Sequence, residues 1–226
     1  LGYIPKKDVV ETFRKIGSPY EGHVARTVPG VWYGTGPLGI GVSAAAGFAL
    51  GEKLREGSGR VFGLVGDGEA QEGQVYEMMN FSKQHALGNY ILFVDYNRVQ
   101  LSDSLHSITD NDYRKLFEAA KWHVIDVDAH DYQAMWQVLF EASSVIDRPV
   151  AIIGHSIMGK GVPGMEEDGL AHRATWHGTA AEPELAAKIL QSLMISDDER
   201  GLIEDFLQKI KWRPEKSSFP QSLSPV

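Results

Sequence analysis

The chain has 226 residues, 43% of them hydrophobic, enough to fill one large globular core. Its formal charge is −8, from 22 Lys and Arg against 30 Asp and Glu, so no basic surface invites nucleic acid. Cysteine is absent, which excludes disulfides, thiolate catalysis and Cys-based zinc sites, and points to a reducing, cytoplasmic setting.

The N-terminal stretch "LGYIPKKDVV" has the pattern of neither a signal nor a transit peptide, and it lacks an initiator Met. The sequence is therefore expected to begin inside a longer chain. Helical spacing of apolar residues predicts a helix over 6–17, followed by a Gly/Pro-rich functional loop over 18–41. A helix of small residues follows over 42–56. Strand and helix patterns then alternate: strand 61–65, helix 70–86, strand 90–95, helix 111–121, strand 122–127, helix 131–146 and strand 149–154. The strands read as continuous apolar runs, the mark of a sheet covered on both faces. The expected fold is α/β, a doubly wound and mostly parallel sheet flanked by helices. Residues 155–181 form a second Gly-rich loop, 182–211 carry two amphipathic helices, and the Pro/Ser-rich end from 213 reads as a linker or tail. No apolar run approaches the ~20 residues of a membrane helix. The expected division is a binding domain over 1–181, helices of the same domain over 182–212, and the tail. Trp122 and Trp136 are expected in the core.

The stretch "GLVGDGEAQEGQVYEMMNF" (63–81) concentrates the chemistry. An apolar strand stops at Gly66-Asp67-Gly68, where a helix is expected to begin. A helix N-terminus suits phosphate, and the glycines permit close approach and positive φ. Asp67 opposes that use, because like unit charges ~4 Å apart repel by about 4 kcal/mol at an effective dielectric near 20. A divalent cation between them removes the conflict. Mg²⁺ or Ca²⁺ requires more oxygen ligands, and the next strand ends at Asp95-Tyr96-Asn97. Adjacent parallel strands end at one edge, so the Asn97 carboxamide, with a loop carbonyl such as that of Val99, would complete the set.

These residues carry a resemblance. Gly66-Asp67-Gly68, then 28 residues, then Asn97 is similar to the GDG…N motif of thiamine-diphosphate enzymes. Within them the chain resembles the transketolase family, through "PGVWYGTGPLGIG" (29–41), "GDGEAQEGQVYEMMNF" (66–81), "NRVQLSD" (97–103), "AAKWHVIDVDAHD" (119–131) and "GKGVPGMEEDGLAHRATWHG" (159–178) in matching order. The resemblance implies a metal held by Asp67, Asn97 and the Val99 carbonyl. It implies cofactor contacts from Gly36, Leu38, Gly66, Gly68, Glu69, Asn97, Leu101, His155 and His177. His155 falls where animal-type members carry a lysine. His23 and His177 match positions near the donor sugar, and Glu72 matches a glutamate at the subunit interface. Three motif positions depart: Val24 follows Gly22-His23 where the family has proline, Ala129 replaces a glycine, and Ile40 replaces a glutamine.

The family's pyrimidine-binding domain, with its activating glutamate, has no counterpart in this sequence. The resemblance therefore implies an N-terminal transketolase subunit that binds thiamine diphosphate and Mg²⁺ (or Ca²⁺). It would transfer a two-carbon ketol unit from a ketose donor to an aldose acceptor, as in pentose-phosphate metabolism, only with a C-terminal partner chain, in an α2β2 heterotetramer; the sequence leaves open which sugars and whether they are phosphorylated. The alternatives are the α subunit of a 2-oxoacid dehydrogenase and a non-catalytic scaffold subunit. "GTGPLG" (34–39) also fits a dinucleotide fingerprint, but it follows a loop rather than a strand. "DVDAHD" lacks the Gly and Glu of a calcium loop and reads as strand exit and helix cap.

Overall fold

The computed structural model describes residues 3–192 and 196–209, so the tail expected from 213 lies outside the described residues. Two compact units divide the chain, one of residues 1–34 with 193–226 and one of residues 35–192. In the first, α1 (Lys6–Thr12) is shorter than expected. Phe13 is extended and Arg14 adopts a left-handed φ of 59°, which ends the helix five residues before Gly17.

The second unit opens with α2 (Ile40–Leu54) and runs into β1 (Val61–Gly66). The expected helix over 70–86 is broken at its start. A 3₁₀ turn spans Glu69–Gln71, Glu72 is extended, and α3 (Gly73–Gln84) begins only after it. The Gly-Asp-Gly turn therefore does not open the helix directly. After β2 (Tyr90–Tyr96) come a short α4 (Leu105–Ile108) and α5 (Tyr113–Ala119), the latter started by Asp112, whose side chain accepts from the Lys115 N–H at 3.0 Å. β3 (His123–Asp128) leads to α6 (Tyr132–Ser144), capped by the Asp131 carboxylate on the Gln133 and Ala134 amides, the role expected for that segment. β4 (Val150–His155) follows, and the loop expected over 155–181 contains α7 (Met165–Leu170) and a 3₁₀ turn, Ala174–Trp176. α8 (Pro183–Ser192) closes this unit, and α9 (Asp197–Lys209) belongs to the first.

All four strands are parallel, in the order β1-β2-β4-β3. Period-two alternation sorts their side chains. Val65, Leu92, Val94, Ala151 and Ile153 pack with residues of α2, α3 and α5, while Ile91, Val127, Val150 and Ile152 pack with Val138 and Ala142 of α6. Right-handed crossovers account for this: the chain moves one way across the sheet through α3 and α5, and reverses through α6 on the other face. Trp122 is buried as expected, its Nε1 donating to the Met79 carbonyl at 3.0 Å and its ring against Tyr90 and Phe117.

Trp136 overturns its expectation. It is 76% exposed, in line with Tyr132 and Phe140 on the side of α6 that faces away from the sheet. Phe62 and Leu64 of β1 are 60% and 70% exposed on the α6 face of the edge strand. Parallel sheets are ordinarily covered on both faces, and a helix apolar on two sides is ordinarily buried on both. These surfaces have the character of interaction sites.

Packing yields a contrast in stability, read by urea unfolding. A Cβ on Gly154 would lie 2.0 Å from Phe93 Cζ, so Gly154→Ala is expected to cost about 1–3 kcal/mol. Trp122→Ala is expected to cost about 3–5 kcal/mol, and Trp136→Ser to stay within about 0.5 kcal/mol. Equal losses from the two tryptophans would contradict the burial described.

Candidate cation and diphosphate site

β1 pairs with β2 up to Gly66 opposite Asp95, and the Asp67 N–H adds one further bond to the Asp95 carbonyl at 3.2 Å. Asp67 is thereby fixed at the carboxyl edge of the sheet, where β1 and β2 end together. It is 2% exposed. Its Oδ2 accepts from the Arg98 N–H, and its carbonyl accepts from the buried Tyr113 hydroxyl of α5. Among the described residues it forms no ion pair. Burial pushes its carboxyl up to about 6, and the neighbouring Asp95 charge pushes the same way. The amides of Arg98 and Gly68, and His177, pull it down. A carboxylate in this position is a ligand in want of positive charge.

The loop after β2 supplies the remaining oxygens. Asn97 Oδ1 accepts from the Val99 N–H at 2.9 Å, and its Nδ2 donates to Asp95 Oδ2 at 3.3 Å. The other Asp95 oxygen accepts from the Ser156 hydroxyl, tying β2 to the segment after β4. Arg98 adopts a left-handed φ of 62°, and its carbonyl accepts from the Leu105 N–H at 2.9 Å. Val99 is buried and bridges Ser104, while its own carbonyl accepts no hydrogen bond among the described residues. Asp67 thus lies at the carboxyl edge of the sheet beside the loop that carries Asn97 and Val99, joined to it through the Arg98 amide. One carboxylate and two neutral oxygens form a hard donor set, suited to Mg²⁺ or Ca²⁺. Among the described residues no group of three His, Cys, Asp or Glu lies together to hold a metal.

The glycines act differently from expectation. Neither Gly66 nor Gly68 has a positive φ, and Gly68 is right-handed helical. What Gly68 provides is room: a Cβ there would lie 3.3 Å from Gln100 Cγ. A positive φ is instead required at Gly39 (79°), whose N–H donates to Glu69 Oε1 at 2.9 Å, and where a Cβ would lie 2.9 Å from Glu72 Cβ. This contact brings the loop of Gly36 and Leu38 to Glu69 and Glu72. Leu38 and Leu101 are exposed, and a Cβ on Gly178 would lie 3.8 Å from Leu101 Cδ1, so the Asn97 and His177 loops adjoin.

Two expected residues stand apart. His155 turns its Nε2 toward Asp126 of β3 at 2.9 Å, with its ring against Tyr96. His23 is exposed in the first unit, whereas Asp67 and its neighbours lie in the second. The sequence reading missed Asp95, Tyr113, Ser156 and Gln100. Asp95 alone left a trace, an acid two residues before Asn97 at the end of an apolar strand.

The family model described as transketolase, thiamine diphosphate binding domain, matches residues 1–188. Transketolase-like protein 2 of Homo sapiens is 35% identical over 193 residues, 84% of this chain and 30% of the relative. Transketolase of Pongo abelii is 32% identical over 194 residues, 85% of this chain and 30% of the relative. The crystal structure of transketolase from Campylobacter jejuni superposes with a TM-score of 0.68 at 26% identity, over 90% of this chain and 36% of that one. Transketolase from Leishmania mexicana shares the fold, with a TM-score of 0.67 at 24% identity, over 92% of this chain and 35% of that one. This chain therefore spans about a third of the length of these relatives. By this extent of match, the chain belongs to the transketolase family and corresponds to its thiamine diphosphate-binding domain.

Proposed function

We propose that the chain is the diphosphate-binding subunit of a split transketolase, moving a two-carbon ketol unit from a ketose to an aldose. The observation that carries this reading is the buried, unpaired carboxylate of Asp67, facing a loop that offers the Asn97 and Val99 oxygens. In this reading Mg²⁺ or Ca²⁺ is held by Asp67, Asn97 Oδ1 and the Val99 carbonyl, and it neutralises the diphosphate beside Gly68 and Glu69. Thiamine diphosphate, when bound, supplies the electron sink that lets a carbon–carbon bond next to a carbonyl break and re-form.

The residues of this chain position and shield. Glu69 fixes the Gly36–Leu38 loop through the Gly39 amide, so that loop and Leu101 can cover the cofactor and exclude water. His177 would hydrogen-bond a donor hydroxyl through its imidazole, and for His23 a role with the donor sugar rests on the family resemblance alone. For His155, whose Nε2 faces Asp126, a diphosphate contact rests on the family resemblance alone. Glu72 is exposed at the start of α3, available for an intersubunit contact. A partner chain bearing the pyrimidine-binding domain, in an α2β2 assembly, completes the enzyme. The uncovered Phe62, Leu64, Trp136 and Phe140 support a partner of that kind.

Three outcomes follow from this reading. Asp67→Asn is expected to weaken Mg²⁺-dependent binding of thiamine diphosphate, followed by tryptophan fluorescence, by at least about 10–100-fold; unchanged binding would remove the reading. The purified chain alone is expected to turn over no ketose donor, and to gain activity with a pyrimidine-domain partner. The third concerns pH without ligand. The folded-state value near 6 lies above the ordinary 3.8, so the stability from neutral Asp67 is complete below pH 3.8 and is lost as pH rises through 6. Relative to Asp67→Asn, the wild type should therefore lose on the order of 1–3 kcal/mol between pH 4 and 7. Urea titrations would read this loss, and saturating Mg²⁺ and cofactor should abolish it.

A further inference from the structure

Four side-chain atoms among the described residues are buried without a hydrogen-bond partner: Gln71 Nε2, Asn89 Oδ1, Gln100 Nε2 and Trp176 Nε1. A buried donor left unmet is costly enough that native structures rarely tolerate one without a use. Asn89 lies where β2 begins, its amide spent on the Ala49 carbonyl at 2.9 Å. Gln71 neighbours Tyr113, and Trp176 neighbours Asp168. Gln100 is the one whose side chain lies against Gly68, with its Cγ, Cδ and Oε1 at 3.3, 3.4 and 3.7 Å from the position a Gly68 Cβ would take.

We propose that Gln100 is a further binding residue of this site, its carboxamide turning about Cγ–Cδ on binding so that the N–H now enclosed replaces Oε1 beside Gly68 and donates to an oxygen of the bound diphosphate. The inference rests on the thiamine-diphosphate reading above. The backbone of Gln100 is fixed, because its N–H donates to the Asp103 carbonyl at 2.9 Å just after the Val99–Ser104 bridge. The side chain therefore projects from the same short loop that presents Asn97 and Val99. Its chemistry also suits the place. A lysine at 100 would set a second cation beside the divalent ion, and a glutamate would repel the diphosphate. A carboxamide donates to the anion without changing the local charge. The missing Cβ at Gly68 leaves the amide unpressed there, since a methyl would lie 3.3 Å from Gln100 Cγ.

The test compares wild type, Gln100→Leu and Gln100→Glu in the full chain. Each is titrated calorimetrically with thiamine diphosphate and with inorganic pyrophosphate, both with Mg²⁺, and thermal melting without ligand is recorded alongside. Gln100→Leu is expected to weaken both ligands equally, by about five- to tenfold, the worth of one hydrogen bond. Gln100→Glu is expected to weaken them further. The unliganded Leu variant should melt no lower than wild type, because it removes an unmet donor. Wild-type binding with less than a twofold loss in Gln100→Leu would overturn the assignment, as would a loss confined to thiamine diphosphate. A Leu variant that melts well below wild type would show that the amide holds the fold instead, and would overturn it too. If the wild type binds neither ligand, the proposed function itself falls.

Discussion

The carboxylate of Asp67 is held out of water at the edge of a parallel sheet, and the rest of the site is arranged around that expense. Its own main chain extends the β1–β2 pairing, a buried tyrosine secures its carbonyl, and the amide of Arg98 secures one of its oxygens. None of these groups carries a full positive charge. In the proposed reading, the counter-charge to this buried acid comes from the bound metal ion. That logic, more than any single motif, links the sheet to the chemistry of a metal and an organic diphosphate.

Much of this was legible in the sequence because it depends on strand ends. Apolar runs of strand length, separated by helical patterns, fix a parallel sheet, and a parallel sheet places Asp67 and Asn97 together. The helix boundaries were less legible. Glu72 is extended in the middle of a segment whose composition favours helix, because the chain must first turn through Glu69–Gln71 to bring Glu69 to the Gly39 amide. α4 and α7 are too short for periodicity to reveal. Trp136 misled for a different reason: apolar size suggests the core, but α6 places it on the side turned from the sheet. Tyr113 and Gln100 could not have been found, since their roles arise from contacts across the fold and neither lies in a recognisable pattern.

Two kinds of incompleteness coexist in the second unit. One is local, a sheet edge with an acid that forms no ion pair and an unmet amide donor among the described residues. The other is broad, the aromatic stripe on α6 and the bare side of β1. In the proposed reading the first is met by the metal and cofactor and the second by the partner chain. A core that is well packed around Trp122, Tyr90 and Phe117 gives both surfaces a rigid base.

The left-handed backbone of Arg98 carries a consequence of its own. That conformation turns the amide inward to Asp67, while the guanidinium is sent outward over the Tyr96 ring, 5.1 Å from its centre. Holding and display are thereby divided between main chain and side chain of one residue. Mutational drift at this codon can repaint the outside of the loop while the grip on the acid passes from variant to variant untouched, and glycine or asparagine would even sit there at less conformational cost.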